Sequence, residues 1–158
     1  MFNIGDKVVY PMHGAGVIEA IEEKEILGTK KQYYVMSIPV GDMKVMIPLD
    51  NVRQVGLREI IDGEDVEQVF SVLRENHSKM SINWNRRYRM NMEKIKSGDI
   101  FKVAEVVSSL MGREKDKGLS TGERKMLENA RQILISELVL ARNCCEGEID
   151  EIIQRFFQ

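Results

Sequence analysis

The segment Asn83-Trp84-Asn85-Arg86-Arg87-Tyr88-Arg89 concentrates side chains with a use outside a core: the chain's single tryptophan stands beside three arginines. On a helix Trp84 and Tyr88 share a face, Arg87 lies within about 60° of Trp84, and Arg86 and Arg89 project elsewhere. Guanidinium groups pair bidentately with phosphates. A large apolar ring beside them can wedge against an unstacked base step in a minor groove. The plainer reading makes Trp84 a core anchor and the arginines the wet side of an amphipathic helix. A second basic pair, Arg124-Lys125, falls at the start of a later helix. Basic residues in a first turn oppose the helix's own dipole, which suits an external phosphate.

Catalytic sets are missing by comparison. His13-Gly14-Ala15-Gly16 has no following Gly-Lys-Ser/Thr, so it is a turn and not a phosphate loop. His13 and His77 fall in different parts of the chain, with no partner at metal-ligand spacing. Cys144 and Cys145 are adjacent, with no histidine nearby, and read as reduced thiols rather than a disulfide framework. The carboxylates at 22, 23 and 25 read as a solvated face. The expectation is a non-enzyme without metal or cofactor.

Two kinds of element must position the basic cluster. Up to about residue 58, β-rich runs (Asp6–Tyr10, Gly16–Glu23, Gln32–Ile38, Met43–Pro48) alternate with Gly, Pro and Asp turns. They predict a small, strongly bent antiparallel sheet or barrel, whose exposed edge is free to pair with another protein's strand. Beyond Gly56 the period changes. Val66, Val69, Phe70 and Leu73 make a helical stripe; Trp84, Tyr88, Met92 and Ile95 make a second, ending at Ser97-Gly98. Asp99 reads as the N-cap of a third helix, closed by Gly112 or Gly118. Ser120-Thr121-Gly122-Glu123 is a capping box opening a fourth, and residues 147–157 form a last amphipathic helix. The fold class is therefore α+β: a β module at 1–58 and an all-α domain of about five helices at 59–158.

The net charge of −2 conceals a partition. Residues 1–73 carry seven basic and twelve acidic side chains; residues 74–131 carry fourteen and eight; residues 132–158 carry two and five. The helical middle is thus net +6 between acidic flanks, which points to a polyanionic partner for that segment alone. With no long apolar run and with Asp6-Lys7 near the start, the expected location is the cytoplasm.

The strings NWNRRYRMNMEKIKSGD, KVAEVVSSL and GLSTGERKMLENARQILISELVLA resemble the bacterial CarD/CdnL transcription regulators. GDKVVYPMHGAGVIEAIEE, KQYYVMSIP and KVMIPLDNV resemble their RNA-polymerase-interacting module, shared with the transcription-repair coupling factor. Together they cover about residues 2–142. The resemblance implies a Tudor-like N-terminal barrel that pairs a strand with the polymerase β subunit. It implies a helical domain at the upstream edge of the promoter bubble, where Trp84 enters the minor groove and stabilises the open complex without sequence readout. Arg86, Arg87, Arg89, Arg124 and Lys125 would lie near the DNA backbone; Lys24, Ile26, Lys44 and Met46 would face the polymerase. The chain departs from some relatives in having Met46 where they carry a basic residue, with Lys44 two positions earlier on the same face.

The resemblance thus implies a nucleoid-associated, monomeric regulator bridging polymerase and promoter DNA. Two other readings stay open at this level. One is an adaptor on polymerase that never touches DNA, with Trp84 in the core. The other is an RNA binder, since small barrels with basic partners also take RNA.

Overall fold

The computed structural model describes residues 2–75 and 83–157; His77 lies outside the described residues. The N-terminal part is an antiparallel sheet of β1 (Lys7–Tyr10), β2 (Gly14–Ile26), β3 (Thr29–Ile38), β4 (Met43–Pro48) and β5 (Arg58–Glu59). Their order is β4-β3-β2-β1-β5, so β4 and the two-residue β5 are the edges. Alternation directs Val8, Ile18, Tyr34, Met36, Ile38 and Ile47 into one small core. The β2–β3 turn has Leu27 and Gly28 both at positive φ, the twist a two-residue hairpin requires, and the Leu27 side chain is fully exposed at its tip.

This hairpin is longer than the sequence pattern predicts. Residues 21–32 pair in register from Ile21↔Tyr34 to Ile26↔Thr29 but are exposed throughout. A projecting ribbon needs no apolar alternation, so its outer half carries no burial signal. A register shift between Ile18 and Ala20 puts Glu19 in a bulge. The glycines of His13–Gly16 do more than turn the chain. A Cβ on Gly16 would lie 2.1 Å from the Ser37 carbonyl oxygen, so only glycine lets β3 approach so closely.

A single turn of helix, α1 (Val52–Val55), ends at Gly56 and leads through β5 into the helical part. There α2 (Val66–Arg74), α3 (Trp84–Lys96), α4 (Ile100–Asp116), α5 (Thr121–Arg142) and α6 (Glu146–Arg155) enclose a second core. Val66, Val69, Phe70 and Leu73 are all buried, as their spacing predicts. Asp99 caps α4 by accepting from the Phe101 amide, and Gly118, at φ 81°, closes it; Gly112 lies inside the helix. Asn143 in the left-handed conformation ends α5.

Sheet and helices share a closed interface. Ser136 of α5 accepts the Ala15 amide at 2.8 Å, and Gly14 approaches so near that a Cβ would stand 2.9 Å from the same hydroxyl. Arg58 of β5 grips Glu137 of α5 with both terminal nitrogens at 2.8 and 2.7 Å, and donates Nε to the Gly98 carbonyl. Glu137, buried, also accepts the Ile61 amide. Met12 and Val40 of the sheet part pack into the helical core. Since Glu137 is saturated by donors from the other side, the two parts are held in a defined relation rather than linked by a flexible tether.

Candidate functional site

Asn83 starts α3 by accepting the Arg86 amide at 3.0 Å, which sets Trp84 as the first helical residue. The indole is 41% exposed, so Trp84 is not a core anchor. It stacks on Tyr88 at 5.0 Å with 20° between the rings, which is the shared face the spacing predicts. Its Nε1–H donates to the Ser120 hydroxyl at 3.0 Å, and its Cζ2 lies so near Gly122 that a Cβ there would stand 3.4 Å away. The ring is therefore open to solvent on one side and docked on the first turn of α5 by the other.

The inward face of α3 includes Tyr88, Met92 and Ile95 of the predicted stripe, packed on the helical core, together with polar residues the stripe did not include. Arg87, Asn91 and Ile95 are buried, whereas Tyr88 and Met92 are half-buried. Arg87 donates Nε to Glu123 Oε2 at 2.8 Å and Nη2 to Oε1 at 3.1 Å, and both side chains are almost fully buried. This corrects the expectation that Arg87 lies along a DNA backbone: its guanidinium is turned into the protein. The hydrogen bonds from Arg87 hold the Glu123 carboxyl below the usual carboxylate range against the opposing effect of burial, helped by the charges of Arg87 and Arg113 and by Ser120. The same pairing raises Arg87, whose charge is thereby kept despite burial.

The capping box forms by half. Ser120 accepts the Glu123 amide at 3.2 Å, but the Glu123 carboxylate receives Arg87 and the Ser120 hydroxyl at 3.3 Å. Arg124 and Lys125, both exposed, begin the second turn; the first turn holds Glu123. The dipole argument from a basic first turn is thus withdrawn, since α5 has its acid where its own dipole favours one. Arg124 sits 3.9 Å from Glu114, a loose surface pair. Arg86 and Arg89 are exposed on α3. Four exposed cations, Arg86 and Arg89 on α3 and Arg124 and Lys125 on α5, are therefore carried by the same two helices that Trp84–Ser120 and Arg87–Glu123 join at their starts.

In the sheet, β4 has a strand partner on one side only. Met46 pairs with Val35, which pairs with Ala20; Lys44 pairs with Ser37. Counting by twos along β2 from Ala20 through Glu22 brings Lys24 and Ile26 to this same face, so all four expected polymerase-facing residues share it. All four are exposed. Lys44 pairs with the bulge residue Glu19 at 3.3 Å.

Neither cysteine is joined: Cys144 is half-buried, with its thiol pushed up by burial, and Cys145 is exposed. No group of three metal-ligating side chains occurs among the described residues. Sequence reasoning missed Ser120 as the tryptophan's anchor, Glu123 as the partner of Arg87, and the Arg58–Glu137 joint. The capping-box pattern did mark Ser120 and Glu123, but for a local role.

Comparison with known proteins matches both parts in order. The family model described as CarD-like/TRCF RID domain covers residues 2–61, and that described as CarD, C-terminal domain covers 68–154. The chain is 44% identical over 149 residues to "Putative transcription factor YdeB" of Bacillus subtilis (strain 168), spanning 94% of this chain and 97% of that protein. It is also similar to the solution NMR structure of the 72-residue N-terminal domain of Myxococcus xanthus CarD, at 34% identity and a TM-score of 0.33 over 37% of this chain and 79% of that one. With both family models matched and a relative this similar along nearly its whole length, the chain belongs to the CarD-like transcription factor family and carries that family's RNA-polymerase-interacting domain.

Proposed function

We propose that this protein acts without catalysis, as a bridge between the RNA polymerase β subunit and promoter DNA, and stabilises the open complex by placing Trp84 in the minor groove at the upstream edge of the bubble. The observation that carries this reading is the half-exposed indole, held at the meeting of two helix starts that bear Arg86, Arg89, Arg124 and Lys125. A part-exposed tryptophan on a helix pair rich in exposed cations favours this reading over an adaptor that never meets DNA. On this reading those four residues neutralise phosphates, a contact that gives affinity without sequence readout. The ring enters where base pairs are already opened, so that unstacking costs least.

The β4 edge supplies the second attachment. Main-chain groups on an unpaired edge strand accept a strand of the β subunit, with Lys24, Ile26, Lys44 and Met46 on the face beside it. A basic residue at position 46 is not needed for main-chain pairing, which accommodates methionine there. Two weak attachments on one body reinforce each other, because docking at one sets an effective concentration of about millimolar at the other. The protein then works as a monomer, carried to the nucleoid by polymerase.

The test is the lifetime of open complexes formed by bacterial RNA polymerase on a promoter fragment. The wild-type protein should lengthen it, and Trp84→Ala should remove the effect while retaining polymerase binding. Equal lifetimes with wild type and Trp84→Ala would refute the wedge.

A further inference from the structure

Trp84 is restrained more than a half-exposed side chain at a helix start need be. Its ring is stacked on Tyr88, its edge lies against Gly122 and its only hydrogen-bond donor is taken by Ser120. Ser120 is itself fixed. Its hydroxyl accepts from the indole and from the Glu123 amide, and donates to Glu123 Oε1. Glu123 is fixed in turn by Arg87, which stands three positions beyond Trp84 on the same helix. The four residues close a ring of contacts: Trp84 to Ser120, Ser120 to Glu123, Glu123 to Arg87, and Arg87 back through α3 to Trp84.

We propose that Ser120, Glu123 and Arg87 are positioning residues that set the indole in one orientation before DNA is met. This inference deepens the wedge reading above and rests on it. A buried ion pair is a poor source of net stability, because desolvation offsets its attraction. What Arg87–Glu123 does supply is a directional, two-bond connection between α3 and α5 under the ring. A ring already ordered in the free protein loses no rotamer freedom when it enters a groove, and that loss is otherwise charged against binding. Holding the indole N–H on Ser120 also leaves the apolar part of the ring as its leading surface. Such a wedge reads whether a base step opens, not which base is there.

Ser120 allows the role to be tested apart from folding. Ser120→Gly keeps a competent helix N-cap, since glycine is among the residues helices accept there, and removes the acceptor. Ser120→Thr restores a hydroxyl. Trp84 is the sole tryptophan, so time-resolved fluorescence anisotropy of the free protein reads this ring alone. We expect Ser120→Gly to add a fast depolarising motion that wild type and Ser120→Thr lack. With polymerase and promoter, Ser120→Gly should shorten the open-complex lifetime roughly two- to ten-fold relative to wild type, the size expected when one interface side chain is no longer pre-ordered. Ser120→Thr should recover most of it. Unchanged anisotropy in Ser120→Gly would overturn the proposal within the free protein, whatever the DNA does. A looser ring with an unchanged lifetime, while Trp84→Ala shortens it, would overturn positioning and leave the wedge standing. An unchanged lifetime in Trp84→Ala would overturn both.

Discussion

The sheet end and the helical end of this molecule are built for recognition in different ways. At the sheet end the available feature is the open edge of β4, whose outward amides and carbonyls exist whatever its side chains are. At the helical end the feature is one ring in one pose, and that pose depends on Ser120, Glu123 and Arg87 by identity. The contrast makes the main chain, and not the Met46 side chain, the expected attachment at the sheet end. It also says where substitutions should be silent and where they should not: an edge strand tolerates exchange of exposed side chains, and a saturated buried network does not.

Breaking the network should have the largest effect. Glu123→Gln leaves the Arg87 charge buried without a countercharge, so urea unfolding should show a loss of about 3–5 kcal/mol, the usual result of removing one member of a buried pair. Acid sharpens the same point. Because the folded Glu123 carboxyl titrates below its ordinary range, the stability it contributes is complete above the unfolded value of about 4.3 and is lost as pH falls through the lower folded value. Stability measured downward from about pH 5 should therefore fall more steeply in wild type than in Glu123→Gln. Equal slopes would mean that the pair is not formed in solution.

Trp84→Ala comes next in its expected effect on stability. Trp84 is 41% exposed, so the expected loss is about 1.5–2.5 kcal/mol, half that of a core tryptophan. A thermal melt showing a loss near the full core value would mean that the ring anchors the fold. At the sheet end, Lys44→Glu with Met46→Glu should reduce polymerase capture but change stability by less than about 1 kcal/mol, since Lys44–Glu19 is a solvent-exposed pair. Met46→Ala alone should leave capture nearly intact. If alanine there abolishes capture, side chains and not the main chain govern the sheet end, and the contrast fails. The smallest effect belongs to the rim: Arg124→Ala should lower the slope of log affinity for DNA against log salt by about one, without altering preference among sequences.

How much of this was legible in the sequence follows from where each signal lies. The α2 stripe Val66, Val69, Phe70, Leu73 was legible because its inward face is wholly apolar. The α3 face was read only in part: Tyr88, Met92 and Ile95 pack on the helical core as their spacing predicts, but periodicity in apolar residues passes over the buried polar Arg87 and Asn91 beside them. Arg87 could be placed near Trp84 by angle. Its partner lies 36 positions away, and nothing local announces that an arginine will be buried. The S-x-x-E pattern marked Ser120 as a cap correctly, but the glutamate was diverted by a tertiary partner stronger than the backbone amide it was expected to satisfy. The β5 strand escaped notice because two residues carry no period, yet Arg58 on it clamps Glu137. Lys24 and Ile26 of β2 and Lys44 and Met46 of the β4 edge fell on one face as alternation implies, because register in an antiparallel pair follows from the strand pattern and the turn.

The proposed mechanism requires that the Trp84 ring meet a base step. The most direct measurement places 2-aminopurine at the upstream edge of the bubble in a promoter fragment and follows its fluorescence as polymerase forms the open complex. Wild-type protein should change the probe's signal beyond that of polymerase alone, and Trp84→Ala, bound to polymerase equally well, should leave the signal at the polymerase-alone level. The same change with both proteins would contradict the account, because the base step would then be sensing something other than the indole.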